Sequence, residues 1–446
     1  MSTNNNLNRS RRNFLRVGAA GSALLGLGVF GDSRLPFSAT AGRAAPLPNH
    51  RRLIVVNMLG GNDALNTVIP VTGAAASDYL ANRPGLGIAQ GQGLSLAAGP
   101  GSVTEFELHP AMDSFQARWN AGQLAIINKV GYPQANLSHF VSEDIWSWGA
   151  RSGLSSLTGV APGWIARFAN AYTTTSMGVA SIGVGRRLDF AGANINPFLV
   201  ASLSAFNFDT DWNYQRNHQL RKAKVESILA LQPATGTQGN IAASSLGAHT
   251  AAAQLVQAIA DYDADAALRT IQYPLRPGST TQLTGMGSRL RDIARLIHGG
   301  FETRVFYTGY GGFDTHSGQA TRHAELLGEL DDALGVFHQD LSTMQNNPWA
   351  DTCIVVITEF GRRNYENGSD GTDHGHGIVC LVVGGTVNGG LYGSAISQAD
   401  VNAEYLPYTT DYRDIYRNLI QDHLGQDPTP LFPETQPIST PIDVIN

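Results

Sequence analysis

The chain has 446 residues, of which 42% are hydrophobic and 15% are charged, so it holds enough apolar material for a large core. Its formal net charge is −6, but residues 1–43 carry six arginines against Asp32 alone, which leaves about −11 for the remainder. An acidic body without a basic run excludes nucleic acid as a partner and disfavours binding to anionic membrane surfaces.

The N-terminal segment has the pattern of an export signal. Residues 10–16 read SRRNFLR and precede an apolar stretch that is rich in glycine and alanine. That stretch is too short for a stable membrane span, which needs roughly 20 apolar residues. It resembles a twin-arginine signal with Arg11 and Arg12 as the pair, although a disordered basic tail remains the alternative. We therefore predict that residues 1–45 are a signal peptide and linker, that the twin-arginine export machinery is a partner, and that the protein is periplasmic or extracellular.

Five apolar runs have the composition of β-strands and end in glycine-rich or polar loops. They cover residues 51–63, 123–136, 302–316, 351–363 and 377–390. Each run is continuous and does not alternate with polar residues, which is typical of strands covered on both faces, as in a parallel sheet.

Helical patterns lie between these runs. Residues 323–344 place leucines and a phenylalanine on one face at helical spacing, and residues 246–271 form a similar alanine-rich segment. Strands that alternate with helices predict an α/β fold with a doubly wound, mainly parallel sheet flanked by helices. We interpret residues 46–446 as one domain with an inserted region of mixed structure at about 150–285.

The chain contains two cysteines, Cys353 and Cys380, and both lie in strand-like runs. The sequence favours buried free thiols, because free cysteine behaves as a small apolar side chain. A cross-strand disulfide is the alternative in an oxidising compartment.

Acidic and histidine side chains follow several predicted strands at the point where each strand ends. The segment GTDHGHG (371–377), which precedes the fifth strand, concentrates such side chains further. Because ligands bind at the carboxyl edge of open α/β sheets, we expect these groups to meet there. The predicted ligands are Asp63, Asp314, His316, Glu359, Asp373, His374 and His376.

These residue types point to a divalent metal ion. Carboxylates and imidazoles are the ligands of Zn²⁺, Mn²⁺, Ca²⁺ or Mg²⁺, and converging carboxylates without a cation would raise one another's pKa. We predict one or two ions. Each motif has a simpler alternative: Asp63 as a helix cap, the Asp314 to His316 stretch as a turn, and Arg362 as a surface ion-pair partner.

Ser138 follows the second predicted strand, where a helix starts. It is interpreted either as the N-cap of that helix or as a nucleophile at the positive helix end. His139 is expected to contact the metal ligands without binding the metal itself. His323 and Glu325 open the helix of residues 323–344, where a solvated face or an N-terminal charge is the expected role.

The motifs GGNDALNTVIP, NLSHFVSEDIW, GGFDTHSGQ, TEFGRR and GTDHGHG together resemble the DUF1501 family, over nearly the whole chain. That family is similar to the alkaline phosphatase-like superfamily, which includes sulfatases, so the resemblance implies a two-metal hydrolytic centre. It places Asp63 as the first-strand metal aspartate, Ser138 as the nucleophile and Glu359 as the late-strand carboxylate. It also implies that Asp314 and His316 share an ion, with His374 or His376 as the last histidine.

Two features depart from the superfamily pattern. The late strand there ends in Asp-His-Gly, whereas here it ends in Glu359, Phe360 and Gly361. Phenylalanine binds no metal, so one ligand is either lost or supplied by GTDHGHG. The spacing from Asp314 to His316 is also short, and Gln319 or His323 is expected to compensate.

The expected function is that of an exported, metal-dependent hydrolase of phosphate or sulfate esters. Its substrate would be a small anionic ester or a polysaccharide-linked group, and Arg362 would stabilise the charge that develops during the reaction. The alternative is a catalytically inactive, phosphatase-like binding or scaffold protein of the periplasm or cell surface.

Overall fold

The computed structural model describes residues 50–150, 162–185, 187–194, 197–203, 218–232, 236–432 and 442–445. The predicted signal segment, residues 1–45, lies outside the described residues. In the described part of the chain, no helix combines the length and apolar character that crossing a membrane would require.

Two sheets contain the described strands. The bounds of the strands are β1 Arg52–Leu59, β2 Val68–Pro70, β3 Leu94–Ser95, β4 Phe106–Leu108, β5 Leu124–Gly131, β6 Val179–Ile182, β7 Phe198–Val200, β8 Val305–Gly311, β9 Thr352–Ile357, β10 Ile378–Gly384, β11 Gly390–Tyr392 and β12 Thr410–Asp411. The five long apolar runs of the sequence correspond to β1, β5, β8, β9 and β10, as predicted.

The helices pack around the sheets and differ widely in length. Their bounds are α1 Ala64–Thr67, α2 Gly73–Asn82, α3 Asp113–Asn120, α4 His139–Trp148, α5 Trp164–Tyr172, α6 His218–Ala230, α7 Gly236–Ala264, α8 Gly285–His298, α9 Gln319–Thr343, α10 Gln398–Val401 and α11 Tyr412–Asn418. The predicted helix of residues 323–344 is α9, and its six apolar side chains are all buried.

The main sheet has nine strands among the described residues, in the order β11-β5-β10-β9-β1-β8-β6-β7, with β12 beside β5. Strands β9, β1, β8, β6 and β7 run parallel to one another. The fold is therefore α/β with a mostly parallel central sheet flanked by helices, which confirms the predicted fold class. A small antiparallel sheet, β2-β4-β3, lies apart from it.

Strand β10 is the exception to the parallel arrangement, because it runs antiparallel to both β5 and β9. The parallel direction suggested by its continuous apolar run is wrong. The connection from β9 to β10 contains no helix, and a parallel crossover usually requires one. The reversal places the start of β10, and with it residues 371–377, at the same edge as the carboxyl ends of the parallel strands.

Both faces of the main sheet are covered. One face packs α8 and α9 through residues such as Leu290 and Leu330. The other packs the aromatic side chains of α4, α5 and α11, including Trp146, Trp164 and Tyr416. Burial of each large apolar side chain contributes about 1.5–3 kcal/mol to folding. The many side chains buried on both faces therefore stabilise the sheet that carries the loops at its edge.

The region predicted as an insertion contributes to the main sheet. Strands β6 and β7 extend it beyond β8, and α5 packs against its face. Helix α7 includes most of the alanine-rich segment 246–271, as predicted, whereas α6 was not predicted as a helix. The boundaries of 150–285 as an inserted region stay a prediction.

Cys353 and Cys380 are buried free thiols, as the sequence favoured. In the register of β9 and β10, Cys353 lies opposite Gly384, so the two cysteines are not cross-strand partners.

Candidate metal centre

The candidate centre lies at the carboxyl edge of the sheet, where the loops after β1, β8 and β9 meet. Asp314 follows β8, Glu359 and Arg362 follow β9, and His374 precedes the antiparallel β10. His139 is the first residue of α4, which follows β5. Asp314, Glu359, Arg362, His374 and His139 thus come together from four separate segments. The sequence predicted the first four in this site, whereas it expected His139 only as a supporting residue, and Asp63 of the β1 loop lies elsewhere.

Glycines allow these segments to approach closely. A Cβ at Gly371 would collide with the backbone of His316, and one at Gly375 with the backbone of Arg362. Hydrogen bonds hold the same approach, because the N–H of Gly375 donates to the carbonyl of Gly361 at 2.8 Å. The glycines of GTDHGHG therefore bring His374 up to the loops that follow β8 and β9.

Asp314 is the central acceptor of the cluster. Its Oδ1 lies 3.0 Å from Nε2 of His374, 3.0 Å from Nε2 of His316 and 2.7 Å from Nη2 of Arg362. Its Oδ2 lies 3.5 Å from Nε2 of His139. Partial burial opposes ionisation, but the hydrogen bond and charge of Arg362 outweigh it and lower the pKa of Asp314 to about 2.

Each of the three histidines has an oxygen acceptor at its Nδ1. The pairs are His139 with Oε1 of Glu359 (2.7 Å), His316 with Oδ1 of Asp373 (3.2 Å) and His374 with the carbonyl oxygen of Leu137 (2.8 Å). Asp314 is an acceptor as well, so each ring lies between two acceptors, and a neutral ring can donate to only one of them. With its proton on Nδ1, each histidine turns the lone pair of Nε2 towards Asp314.

The two Nε2 atoms of His316 and His374 are 3.0 Å apart. With both ring protons on Nδ1, two lone pairs face each other, and this repulsion requires a cation or an extra proton between them. The buried Nε2 of His139 has no hydrogen-bond partner. Lone-pair-bearing nitrogens that receive no hydrogen bond and surround an ionised carboxylate create a negative potential, which favours a bound cation.

The donor set fits a divalent ion. His139, Asp314 and His374 offer ligand atoms that all lie within 4.8 Å of one another. A tetrahedral ion with ligands at about 2.0–2.2 Å separates its ligand atoms by roughly 3.3 Å, close to the 3.0–3.5 Å found around Asp314. The carboxylates of Glu359 and Asp373 would orient the ligating rings, as carboxylates commonly do around histidine-bound metals.

Arg362 is fully buried beneath the cluster. Besides Asp314, its guanidinium donates to the carbonyls of Gly60, Gly61, Phe313 and Thr372. The side chain has no exposed surface, so the geometry favours a role in positioning Asp314 over the predicted contact with substrate.

Asp63 lies in a separate, fully buried network. One carboxylate oxygen caps α1 through the N–H groups of Leu65 and Asn66, and the other binds Arg83 and Gln319. Burial opposes its ionisation, but the charge of Arg83 and the surrounding donors keep the pKa of Asp63 below the usual value. The capping role left open by the sequence is present, and a metal role for Asp63 stays a prediction.

His376 also lies apart from the cluster. Its ring packs edge-on against Tyr132 and Tyr408 at centroid distances of 5.1 and 5.5 Å. Burial lowers the pKa of His376 to about 4, and its Nε2 has no hydrogen-bond partner. His376 is only two positions from His374 in the chain, but its ring faces Tyr132 and Tyr408. Its ligand role stays a prediction.

Ser138 occupies the N-cap position of α4, but its side chain makes no capping hydrogen bond. The residue is exposed and directly precedes His139. Its backbone N–H donates to Oδ1 of Asn136 at 2.9 Å. Neither of the two predicted roles for its hydroxyl is therefore satisfied by a contact within the protein.

Phe360 stands where the sequence resemblance led us to expect a histidine. Its ring packs against His139 and His374, with centroids 4.7 Å apart in each case. His374 of GTDHGHG joins the cluster, as the sequence suggested for the missing ligand. Gln319 and His323 do not compensate, because Gln319 binds Asp63 and His323 binds Asn62 at 2.8 Å.

The expectation of a solvated face or a terminal charge at His323 is wrong. The side chain is buried, and burial lowers its pKa to about 3. His139 is the residue whose position the sequence interpretation missed. The available signal was a histidine at the first helical position after a strand that ends at the same edge.

A family model with the description "Protein of unknown function (DUF1501)" matches residues 287–442. This match includes Asp314, His316, Glu359 and His374, but it begins after the segment that carries His139. No curated protein is significantly similar to the chain in sequence.

Three solved structures are similar to the chain at low identity. A protein in the alkaline phosphatase superfamily from Vibrio parahaemolyticus is 9% identical, with 92% of this chain and 74% of that chain covered and a TM-score of 0.36. The lipoteichoic acid synthase LtaP from Listeria monocytogenes is 10% identical, with coverages of 88% and 78% and a TM-score of 0.33. The structure of Ps i-CgsB is 10% identical, with coverages of 86% and 76% and a TM-score of 0.35. At these values the similarities carry no information about the chemistry of this chain.

Proposed function

We propose that the protein is an exported hydrolase of phosphate or sulfate esters that depends on one divalent metal ion. The observation that supports this most directly is the convergence of three histidine Nε2 atoms on Asp314, each with its Nδ1 held by an oxygen acceptor. The export part of the proposal rests on the twin-arginine pattern of residues 10–16.

The ligands of the ion would be the Nε2 atoms of His139, His316 and His374 and the carboxylate of Asp314. Three imidazoles and one carboxylate suit Zn²⁺ or Mn²⁺ better than Ca²⁺ or Mg²⁺, which prefer oxygen ligands. This narrows the four metals expected from the sequence to two. A second ion is not part of the proposal, because the carboxylate of Asp63 is already bound to Arg83 and Gln319.

When bound, the ion would polarise the ester oxygens and lower the pKa of the nucleophile. The chain's own groups would prepare the site: Arg362 keeps Asp314 ionised, and Glu359 holds the ring of His139 in one orientation. These contacts fix the positions of the donor atoms, and a preorganised site needs little reorganisation on binding.

We assign the role of nucleophile to the hydroxyl of Ser138. The residue is exposed, makes no side-chain cap hydrogen bond and sits beside His139 in the chain. It also stands at the amino end of a ten-residue helix, α4, where free backbone N–H groups favour a bound oxyanion. The substrate would be a small anionic ester or an ester group carried on a polysaccharide.

Elemental analysis and a substrate panel test the proposal together. Protein purified without chelators should contain about one Zn²⁺ or Mn²⁺ per chain and should cleave an aryl phosphate, a phosphodiester or an aryl sulfate. His374→Ala should lose the metal and the turnover, whereas Ser138→Ala should lose turnover and keep the metal. A metal-free protein that turns over normally would refute the metal-dependent mechanism.

A second candidate is a metal-binding scaffold protein without turnover. The packing of Phe360 between His139 and His374 favours it, because an apolar ring occupies space beside the ligands where a substrate group or a second ion would otherwise lie. A protein with full metal content that cleaves no ester of the panel would support this candidate over hydrolysis.

A further inference from the structure

A cavity of about 470 Å³ lies at the carboxyl ends of β6 and β7, where α8 begins. Gly183 directly follows β6, Ala201 directly follows β7, and Thr284 and Gly285 start α8. The volume is in the range of pockets that hold small molecules, about 300–1,000 Å³. The residues of the metal centre do not contribute to its lining, so the cavity is a separate site on the same edge of the sheet.

Three arginines give the cavity wall a positive charge. Arg276, Arg289 and Arg291 all line it, and no aspartate or glutamate does so among the described residues. Like charges that share one wall repel each other, and partial burial of Arg289 and Arg291 weakens their hydration. This burial lowers the pKa of both guanidinium groups, as expected for cations that lack full compensation by nearby carboxylates.

Arg291 has unused hydrogen-bonding capacity. Its buried Nε has no hydrogen-bond partner, and the charges of Asp292 and Asp263 only partly offset its burial. By comparison, Arg289 donates to the carbonyl of Gly309 and Arg276 donates through Nε to the carbonyl of Leu283. The planar fork of a guanidinium matches the two oxygens of a carboxylate, phosphate or sulfate group.

Neutral polar groups surround the arginines. Thr281, Gln282 and Ser288 line the cavity beside them, and these side chains offer hydroxyl and amide hydrogen bonds. A wall of cations and neutral donors suits a ligand that combines an oxyanion with hydroxyl groups. The space available exceeds what a single inorganic ion would fill.

We propose that this cavity binds an acidic small molecule of about monosaccharide size through an oxyanion group, independently of the metal centre. Arg291 and Arg276 contact the oxyanion, and the hydroxyl-bearing part of the ligand occupies the rest of the cavity. The proposal holds whether or not the metal centre is catalytic.

Isothermal titration of the full chain, treated with a chelator so that the metal centre is empty, tests the proposal. Glucose 6-phosphate should bind with one site per chain and inorganic phosphate should bind more weakly, whereas glucose should not bind. If glucose 6-phosphate and inorganic phosphate both fail to bind at millimolar concentration, or if glucose binds as well as its phosphate, the proposal is wrong.

Variants locate the binding. Arg291→Gln should weaken the affinity for glucose 6-phosphate about tenfold or more, and Arg291→Lys should retain part of it because a cation remains. Arg269→Gln is a matched control, since Arg269 is exposed and does not line the cavity. His374→Ala should bind the phosphate like the unchanged protein.

Thermal unfolding of each ligand-free variant shows whether the substitution has altered the fold. A folded Arg291→Gln protein with unchanged affinity would overturn the proposal, and so would loss of binding in His374→Ala. If Arg291→Gln does not fold, Arg276→Gln provides the same test, because Arg276 is exposed and its removal disturbs less of the core.

Discussion

His316 and His374 face each other with their Nε2 atoms 3.0 Å apart, and both atoms lie 3.0 Å from the same oxygen of Asp314. The Nδ1 atoms lie next to Asp373 and the carbonyl of Leu137, and when the ring protons are there, the neutral rings direct lone pairs at each other. A cation relieves this repulsion, and without a metal the arrangement must take up a proton. The fold brings together the loops of His316 and His374, which are distant in the chain, and their contact requires a cation or a proton.

The two histidines of GTDHGHG provide a direct test of the ligand set. His374→Ala should reduce metal content to near zero, whereas His376→Ala should leave it close to one ion per chain. The reason is geometric, because His374 faces Asp314 while His376 packs against Tyr132. Elemental analysis of both variants, purified in parallel without chelators, measures the difference.

Thermal unfolding with and without chelator controls for the fold of these two variants. The His376→Ala protein should still be stabilised by added Zn²⁺ or Mn²⁺, because a ligand that binds only the folded chain raises the unfolding temperature. Metal loss in a folded His376→Ala protein would show that the ligand set of the sequence prediction, which included His376, is the better one.

The carboxylate behind His139 should control metal affinity without being a ligand. Glu359→Gln keeps the shape of the side chain but removes the charge that acts on Nδ1 of His139 at 2.7 Å. Loss of such an outer carboxylate typically weakens metal binding 10- to 100-fold, so we expect a loss of at least about tenfold. Competition with a metal-binding dye measures the affinity.

Glu366→Gln is the matched control for that substitution. Glu366 accepts hydrogen bonds from the N–H groups of Gly85 and Leu86 and does not contact the cluster. Its replacement should leave metal affinity unchanged. Equal affinities for the Glu359 and Glu366 variants would mean that Glu359 does not orient a ligand.

Strand composition predicted the sheet well, but not the direction of one strand. The apolar run of β10 resembles those of β1 and β9 because all three are buried on both faces, and burial contains no information about direction. The direction depends on the link between β9 and β10, which carries no helix. The sequence between β9 and β10 shows no helical pattern, but a long irregular loop can also connect two parallel strands, so the direction of β10 stayed ambiguous.

The candidate centre was predictable in part. Loops at the ends of β8 and β9 had to meet at one edge, so Asp314, His316 and Glu359 could be placed together from the order of strands and motifs. The orientation of each side chain could not be placed in this way. His374 and His376 are two residues apart, yet one joins the cluster and the other packs under Tyr408, because the local backbone decides which ring faces the edge.

The hydrogen-bond partners of Asp63 and Arg362 explain the remaining differences between the predicted and the observed site. Asp63 follows a strand at the right edge, but Arg83, which lies twenty residues further along the chain, binds its carboxylate in the interior. Nothing in the motif around Asp63 indicates this pairing. Arg362 likewise resembles a surface arginine in the sequence, and only the tertiary structure shows its guanidinium beneath Asp314 with four carbonyl acceptors.

The role of Asp63 can be separated into stability and metal binding. Asp63→Asn leaves Arg83 as an uncompensated buried cation, and breaking a buried pair of this kind costs about 3–5 kcal/mol. We expect a corresponding drop in the free energy of unfolding, measured with denaturant in the presence of chelator. Metal content of the folded variant should stay near that of the unchanged protein, and its loss would instead support the metal role predicted from the sequence.

Acid should destabilise the protein through a histidine that is remote from the metal centre. The ring of His423 is buried between the hydroxyl of Thr386 and the carbonyl of Arg52, at 2.9 Å from each, and burial lowers its pKa to about 4. Because the unfolded chain binds a proton near pH 6.5, the stability from neutral His423 is complete above that value. It is lost as the pH falls toward 4.

This one group should remove about 2 kcal/mol from the free energy of unfolding between pH 7 and pH 5. His423→Gln offers an amide N–H to Arg52 and a carbonyl to Thr386, but it does not titrate, so its loss over the same interval should be smaller by that amount. Denaturant unfolding of both proteins in chelator at the two pH values measures the difference. Equal losses in the two proteins would show that His423 does not bind a proton on unfolding.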